Sequence, residues 1–201
     1  MKLKTVEEMP DITPRIVKEW EGLYEPYKRD TDTLARTWAI PGTPGLEHRI
    51  GGLEKDDVTG NVSMDPENHQ LMSKIRQEKV NRVANYIPEL TVEGAQEGDL
   101  LVVGWGGTYG SLFTAVNSMV ENGHKVGLAH FNYINPLPKN TAEVFSKFKK
   151  IVVCELNLGQ FYLILNNEFP QFEYNKYNKI QGLPFSVLEL TNKFNQLLNN
   201  K

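Results

Sequence analysis

The sequence predicts an α/β fold: three layers, α/β/α, with a mostly parallel sheet of about five strands, preceded by an extended arm and a long helix. Two observations carry this reading. Leu100–Val103 and Ile151–Cys154 are continuous apolar runs, the pattern of strands covered on both faces. Segments of helical spacing lie between such runs, and strands separated by helices pair in parallel through right-handed crossovers.

The elements follow in order. Residues 1–65 are rich in Pro, Gly and charge, with short apolar stretches such as Leu34–Ile40. The segment from Pro41 to His69 is too dense in glycine and proline for regular structure. A loop of that length is unusual inside a compact domain, so it is expected to be functional or to rest on a partner surface. Asp65-Pro66-Glu67 then starts a helix, with an N-cap aspartate and proline at the first helical position. This helix runs to about Tyr86, ahead of Pro88. Leu71, Met72, Ile75, Val80, Val83 and Ile87 form its apolar stripe, and Lys74, Arg76, Lys79 and Arg82 a solvated basic face.

From residue 89 strands and helices alternate. Strands are expected at Glu89–Glu93 (a short edge), Leu100–Val103, Lys125–Phe131, Ile151–Cys154 and, weakly, Tyr174–Ile180. Helices are expected at Ser111–Glu121, closed by Asn122-Gly123, at Thr141–Lys147 with Thr141 as cap, at Gly159–Glu168 and at Ser186–Leu198. The division is therefore 1–88 for the arm, loop and helix, and 89–201 for the α/β domain.

Composition excludes several classes. With 22 basic and 25 acidic residues the net charge is −3, so neither nucleic acid nor a membrane surface attracts the chain as a whole. One cysteine, Cys154, rules out an internal disulfide framework and suits a reducing cytoplasm. It also rules out a self-contained iron–sulfur cluster, which normally takes four thiolates. No apolar run approaches the roughly 18 residues of a bilayer span. The N-terminal stretch lacks a secretory core and reads as a cut inside a longer protein.

Among the motifs, Gly104-Trp-Gly-Gly-Thr-Tyr-Gly110 is a glycine turn between a strand and a helix, where a phosphate could approach backbone N–H groups. Its third glycine falls one place late for the dinucleotide fingerprint. The second strand also ends Ala129-His-Phe-Asn132 without the ribose-binding carboxylate. A tight turn facing a partner subunit fits better. No P-loop and no G-x-S-x-G elbow occurs. The four histidines lack metal-ligand spacing, and Cys154 inside an apolar strand reads as core. His48 and Arg49 on the glycine-rich loop can pair with a carboxylate or phosphate, or simply with solvent or another subunit. Glu155-Leu-Asn-Leu-Gly-Gln160 follows the third strand at its carboxyl end, where crevices of open sheets form. Turn chemistry at an interface and a place in a catalytic pocket are both open for Glu155, Asn157, Gly159 and Gln160.

Asp99–Val103 with GWGGTYG, then Asn135-Pro-Leu-Pro138, then CELNLGQ resemble the transketolase C-terminal-like domain of 2-oxoacid:ferredoxin oxidoreductase alpha subunits. Upstream, PGTPGLEHRIGGLEKDDVTGNVSMDPENH and its basic helix resemble the connector those subunits carry, most closely in 2-oxoglutarate members. The resemblance implies oxidative decarboxylation of a 2-oxoacid with coenzyme A, giving acyl-CoA and reduced ferredoxin. It implies thiamine diphosphate, Mg²⁺ and an iron–sulfur cluster in the parent complex, held largely by a beta subunit. This chain lacks the G-D-G…N-N diphosphate anchor and the cluster cysteines. It is therefore expected to bind no cofactor and to be inactive alone. The remainder of the alpha subunit, the beta subunit and ferredoxin are its implied partners, in an oligomer. His48, Arg49, Gly106, Gly107, Thr108, Glu155, Asn157, Gly159 and Gln160 are the residues expected to border the active site or an interface. The alternatives are a stand-alone nucleotide- or coenzyme A-binding module and a purely structural oligomerisation domain.

Overall fold

The computed structural model describes residues 5–9, 11 and 13–199, so the N-terminal stretch lies partly outside it. Contacts divide the chain into two units, Met1–Val83 and Ala84–Lys201.

The first unit has little regular structure. Two-residue strands β1 (Ile16–Val17) and β2 (Trp38–Ala39) pair in parallel, β2 falling in the apolar stretch noted above. Helix α1 spans Pro66–Arg82 and tightens into a 3₁₀ turn at Val83–Asn85. Its start follows the sequence: the Asp65 carboxylate accepts the Glu67 N–H at 3.1 Å, satisfying one of the unpaired donors of the first turn.

The long loop is tied to the helix that follows it. Between residues 41 and 64 no helix or strand forms, only an isolated bridge between Lys55 and Val62. Yet polar side chains of α1 tie the loop down. Asn68 donates to the Lys55 carbonyl (2.9 Å) and accepts from the Asp57 N–H (3.1 Å). Glu54 receives both guanidinium nitrogens of Arg76 (3.1 and 3.3 Å) and lies 2.7 Å from His69 Nδ1. Arg29 joins Asp57 from the other side. Further along the helix, Arg82 donates to the carbonyls of Thr31 and Asp32. The basic face of α1 is thus partly engaged, while Leu71, Val80 and Val83 of the expected apolar stripe are exposed and Met72 is buried. A segment so poor in apolar side chains offers the helix little to bury, and polar contacts take over.

The second unit is a sheet of β3 (Val92–Gly94), β4 (Gly98–Trp105), β5 (Val126–Phe131), β6 (Phe148–Glu155) and β7 (Tyr174–Asn178). Their order is β3-β5-β4-β6-β7, and only β3 with β5 is antiparallel. Helices α2 (Tyr109–Glu121), α3 (Thr141–Ser146), α4 (Gln160–Glu168) and α5 (Val187–Asn199) cover it. Alternate residues of β4 sort the two cores, as strand periodicity requires. Leu100 and Val102 meet Leu112, Val116 and Met119 of α2 and Leu190 and Phe194 of α5. Leu101 and Val103 meet Val144 and Phe145 of α3 and Phe161 and Leu165 of α4. The three-layer α/β/α fold read from the sequence is the one observed.

Two local readings change. The edge strand begins at Val92 rather than Glu89, because the Asn140 amide pairs both ways with the Leu90 backbone (2.8 and 2.9 Å) and holds it out of the ladder. Thr141 is not the cap of α3. It is the first helical residue, buried, with its hydroxyl donating to the Pro138 carbonyl at 2.6 Å. The close of α2 stands as read: the His124 N–H bonds the Met119 carbonyl and the Gly123 N–H that of Val120.

Two outcomes are expected. Phe145 is fully buried and its ring meets Phe131, Phe169, Phe172 and Tyr174 edge-on. Phe145→Ala should cost the second unit about 3–5 kcal/mol in urea denaturation. In the first unit, hydrogen bonds from Arg76, and then His69, hold the Glu54 carboxyl down at about 2 against an ordinary 4.5. A depressed value stabilises the fold above the ordinary one and is lost as pH falls toward the folded one. Acid titration between those limits should loosen the loop from α1, and Glu54→Gln should remove that part of the acid sensitivity.

Candidate functional site

Strand order creates a crevice. The connection from β4 runs through α2 on one face to β5, whereas the next passes α3 on the other face and reaches β6 on the opposite side of β4. Connections from adjacent strands β4 and β6 therefore part, and such a switch point opens a gap at the carboxyl ends of the strands. Here the gap is a cavity of about 180 Å³ lined by Trp105, Gly106, Gly107, Thr108, Leu156 and Asn157. Four residues singled out in sequence, Gly106, Gly107, Thr108 and Asn157, thus share one small groove.

Glu155 lies at the end of β6 with no exposed surface. One carboxylate oxygen accepts the Phe161 N–H (2.9 Å) and the Trp105 indole N–H (3.2 Å), and the other accepts the Tyr162 N–H (2.9 Å). Asn157 Oδ1 accepts the N–H groups of Gly159 (2.7 Å) and Gln160 (3.1 Å). Gly159 makes the turn at φ 97°, and a Cβ there would stand 3.0 Å from the Asn178 amide. The first N–H groups of α4 are consequently taken by its own segment. A helix start is a natural anion site, and this one is occupied by Glu155. With every oxygen engaged and no access to solvent, Glu155 is a structural cap rather than a proton acceptor for a ligand.

The glycine turn has a similar economy. A Cβ on Gly104 would meet Leu112 Cδ1 at 2.2 Å and Thr108 Oγ1 at 2.8 Å, so this glycine lets α2 pack against β4. The Thr108 hydroxyl donates to the Trp105 carbonyl at 2.8 Å and closes the turn on itself. Helix packing accounts for Gly104, while a Cβ on Gly106, Gly107 or Gly110 would meet nothing within 4 Å.

On the far side of the turn lies a second recess of about 400 Å³, lined in part by Glu93, Gly106, Tyr109 and His130. The Tyr109 hydroxyl donates to the Glu93 carboxylate at 2.9 and 3.1 Å, which raises the phenol's pKa. His130 stacks edge-on against Tyr109 at 5.1 Å, and burial pushes its pKa below the usual imidazole value. Sequence reading missed this trio. Glu93 comes from the antiparallel edge strand, His130 from β5 and Tyr109 from α2, so no linear spacing marks them.

His48 and Arg49 are exposed residues of the first unit. His48 Nδ1 lies 2.9 Å from the Leu46 carbonyl and its ring is edge-on to Tyr24. Cys154 is buried in β6, and burial drives its thiol well above the ordinary range, which leaves it inert. Among the described residues no group of His, Cys, Asp or Glu could hold a metal ion.

Glu155→Gln turns an acceptor oxygen into an N–H donor facing buried donors. It should cost about 1–3 kcal/mol in urea denaturation and speed hydrogen exchange at the Trp105 indole.

Residues 98–187 match the family model of the pyruvate:ferredoxin oxidoreductase core domain II. The 2-oxoglutarate oxidoreductase subunit KorA of Mycobacterium tuberculosis is 40% identical over 190 residues, 94% of this chain and 28% of that protein. The alpha subunit of 2-oxoacid:ferredoxin oxidoreductase 1 from Aeropyrum pernix is 29% identical over 187 residues, 89% of this chain and 28% of that protein. A solved structure of 2-oxoglutarate:ferredoxin oxidoreductase from Magnetococcus marinus, with 2-oxoglutarate, coenzyme A and succinyl-CoA bound, superimposes with a TM-score of 0.80. It is 29% identical and covers 89% of this chain, which spans 31% of it. The chain thus spans less than a third of the length of each of these relatives. The ordered strand, turn and helix set at the switch point and these likenesses agree: the chain belongs to the family of 2-oxoacid:ferredoxin oxidoreductase alpha subunits.

Proposed function

We propose that this chain serves, within an alpha subunit, the oxidative decarboxylation of 2-oxoglutarate with coenzyme A, yielding succinyl-CoA, carbon dioxide and electrons passed to ferredoxin. The named substrate rests on the 40% identity to a 2-oxoglutarate oxidoreductase subunit and on the ligands of the Magnetococcus marinus relative. An iron–sulfur cluster does not fit the residues of this chain. A cluster takes about four thiolates, and the chain has one cysteine, sealed inside β6. Its part is to shape and assemble, while the rest of the alpha subunit and a beta subunit supply the cofactors and the acceptor site for ferredoxin.

One observation carries this division of labour. The crevice between β4 and β6 stands where an open sheet receives ligands or partners, yet Glu155 beneath it and the Asn157 side-chain oxygen are satisfied from within. A groove built that way contributes form and rigidity to a neighbouring active site. His48 and Arg49, exposed on the connector loop, belong to the same proposal as groups that meet an anionic substrate or another subunit. The apolar outer side of α4, with Leu163 exposed beside Leu158 of the preceding turn, suits burial against a further subunit. A reducing cytoplasm is the compartment proposed. Among the described residues no helix is long and apolar enough to cross a membrane.

Gly107 offers the test, since a Cβ there meets nothing within 4 Å. Gly107→Phe should leave the fold of this chain within about 1 kcal/mol of the parent in urea denaturation. In the complete alpha–beta complex it should lower 2-oxoglutarate-dependent ferredoxin reduction at least about tenfold or prevent assembly. Normal turnover by a complex carrying that ring would remove the groove from the active-site surroundings.

A further inference from the structure

The recess at the outer edge of the sheet holds a charge that the fold does not balance. Glu93 lies on β3, the last strand in the sheet order, directly across from Leu128 of β5. Strand periodicity puts Leu128 and His130 on one face of β5, and both line the recess with Glu93. Glu93 carries the one formal charge of the lining, since burial keeps the His130 imidazole uncharged at neutral pH. It makes no ion pair among the described residues, and its partner is the Tyr109 hydroxyl.

The carboxylate is held in place. Tyr109 stacks on Phe113 with ring centroids 5.6 Å apart and meets His130 edge-on at 5.1 Å. Its hydroxyl stands 2.9 and 3.1 Å from the two Glu93 oxygens, nearly equidistant from both. That is the approach an arginine fork uses to bond both oxygens at once. With the fork position taken, the remaining lone pairs suit a compact ammonium with rotatable donors. Thr91 and Asn132 add polar groups to the lining, and a volume of about 400 Å³ has room for an alkyl stem as well as its charged end.

The surroundings point to a polypeptide. Gly106 lines both this recess and the groove between β4 and β6, so the two openings adjoin across one turn. Tyr109 is 41% exposed, and Tyr133, next to the lining residue Asn132, is 43% exposed. Exposed tyrosines beside a polar recess fit an interface, where aromatic residues are enriched. We propose that the recess receives a lysine side chain from a neighbouring polypeptide, with Glu93 as its counter-charge and the Tyr109 hydroxyl excluding arginine. The partner, though not the recess itself, rests on the reading of this chain as part of an alpha–beta complex.

Two measurements test it. On the full chain, NMR of ¹³C-labelled Glu and His follows the addition of butylammonium or butylguanidinium chloride. Saturable shifts at Glu93 and His130 are expected with butylammonium, and binding of butylguanidinium should be at least about threefold weaker. Tyr109→Phe opens the fork position and should remove that preference. Glu93→Gln should weaken butylammonium binding about fivefold with an unchanged circular dichroism spectrum. In the complete alpha–beta complex, a water-soluble carbodiimide should join the Glu93 carboxylate to a lysine outside residues 1–201 as an amide, the carbodiimide taking up the water to become a urea. Peptide mass mapping reads that link, and Glu93→Gln should abolish it. No butylammonium binding, equal binding of the two cations, or an assembled complex without the link would overturn the proposal. Absence of 2-oxoglutarate turnover in a complex that carries the link would support the lysine contact and fault only the proposed reaction.

Discussion

The Glu155 carboxylate sits where no water reaches it, so every lone pair it presents must meet a protein donor. Those donors come from different parts of the chain. Phe161 and Tyr162 contribute the start of α4, and Trp105 contributes the turn after β4. One buried charge thereby fixes the end of β6, the first turn of the following helix and the neighbouring glycine turn in a single arrangement. Asn157 completes it by taking the two N–H groups that Glu155 cannot reach. The crevice at the switch point inherits this rigidity. A polar network with all members satisfied specifies one geometry and leaves few groups over for chemistry.

The two units are held by different physics. In the second, side chains alternate across β4 into two dry cores, one largely aliphatic under α2 and α5, the other rich in aromatic rings under α3 and α4. Phe131, Phe145 and Phe161 interlock there edge to face. Such a core needs no help from ionic contacts. In the first unit few apolar side chains are buried, and Glu54, Asp57, Asn68 and their cationic partners do the holding. Ionic contacts near a surface are individually weak, so a unit built from them is expected to be the more responsive to pH and salt. The same unit leaves Arg29, Arg36, Lys55, Arg76 and Lys79 around a cavity beside α1 against one lining carboxylate, Glu54.

Helix α4 is apolar beyond the face it buries. Phe161 and Leu165 point into the aromatic core, yet Leu163 is 63% exposed and Leu158, just before the helix, 80%. The exposed side of the helix thus mixes Leu163 and Ile164 with Asn166, Asn167 and Glu168.

Sequence alone determined the architecture of the second unit, because buried parallel strands and amphipathic helices write their periods directly into Leu100–Val103, Ile151–Cys154 and Leu112–Met119. It also marked the carboxyl ends of β4 and β6, since glycine turns and polar turn residues are local signals. Tertiary structure alone decided what those residues do. Glu155 became a cap for the helix that follows it, Asn140 rather than Thr141 stood at the cap of α3 and held the Leu90 backbone, and Glu93, Tyr109 and His130 met from three separate elements. The burial of Lys55 was equally invisible in sequence. Whether a lysine faces water or the protein interior depends on packing by residues far along the chain, and no local pattern encodes that.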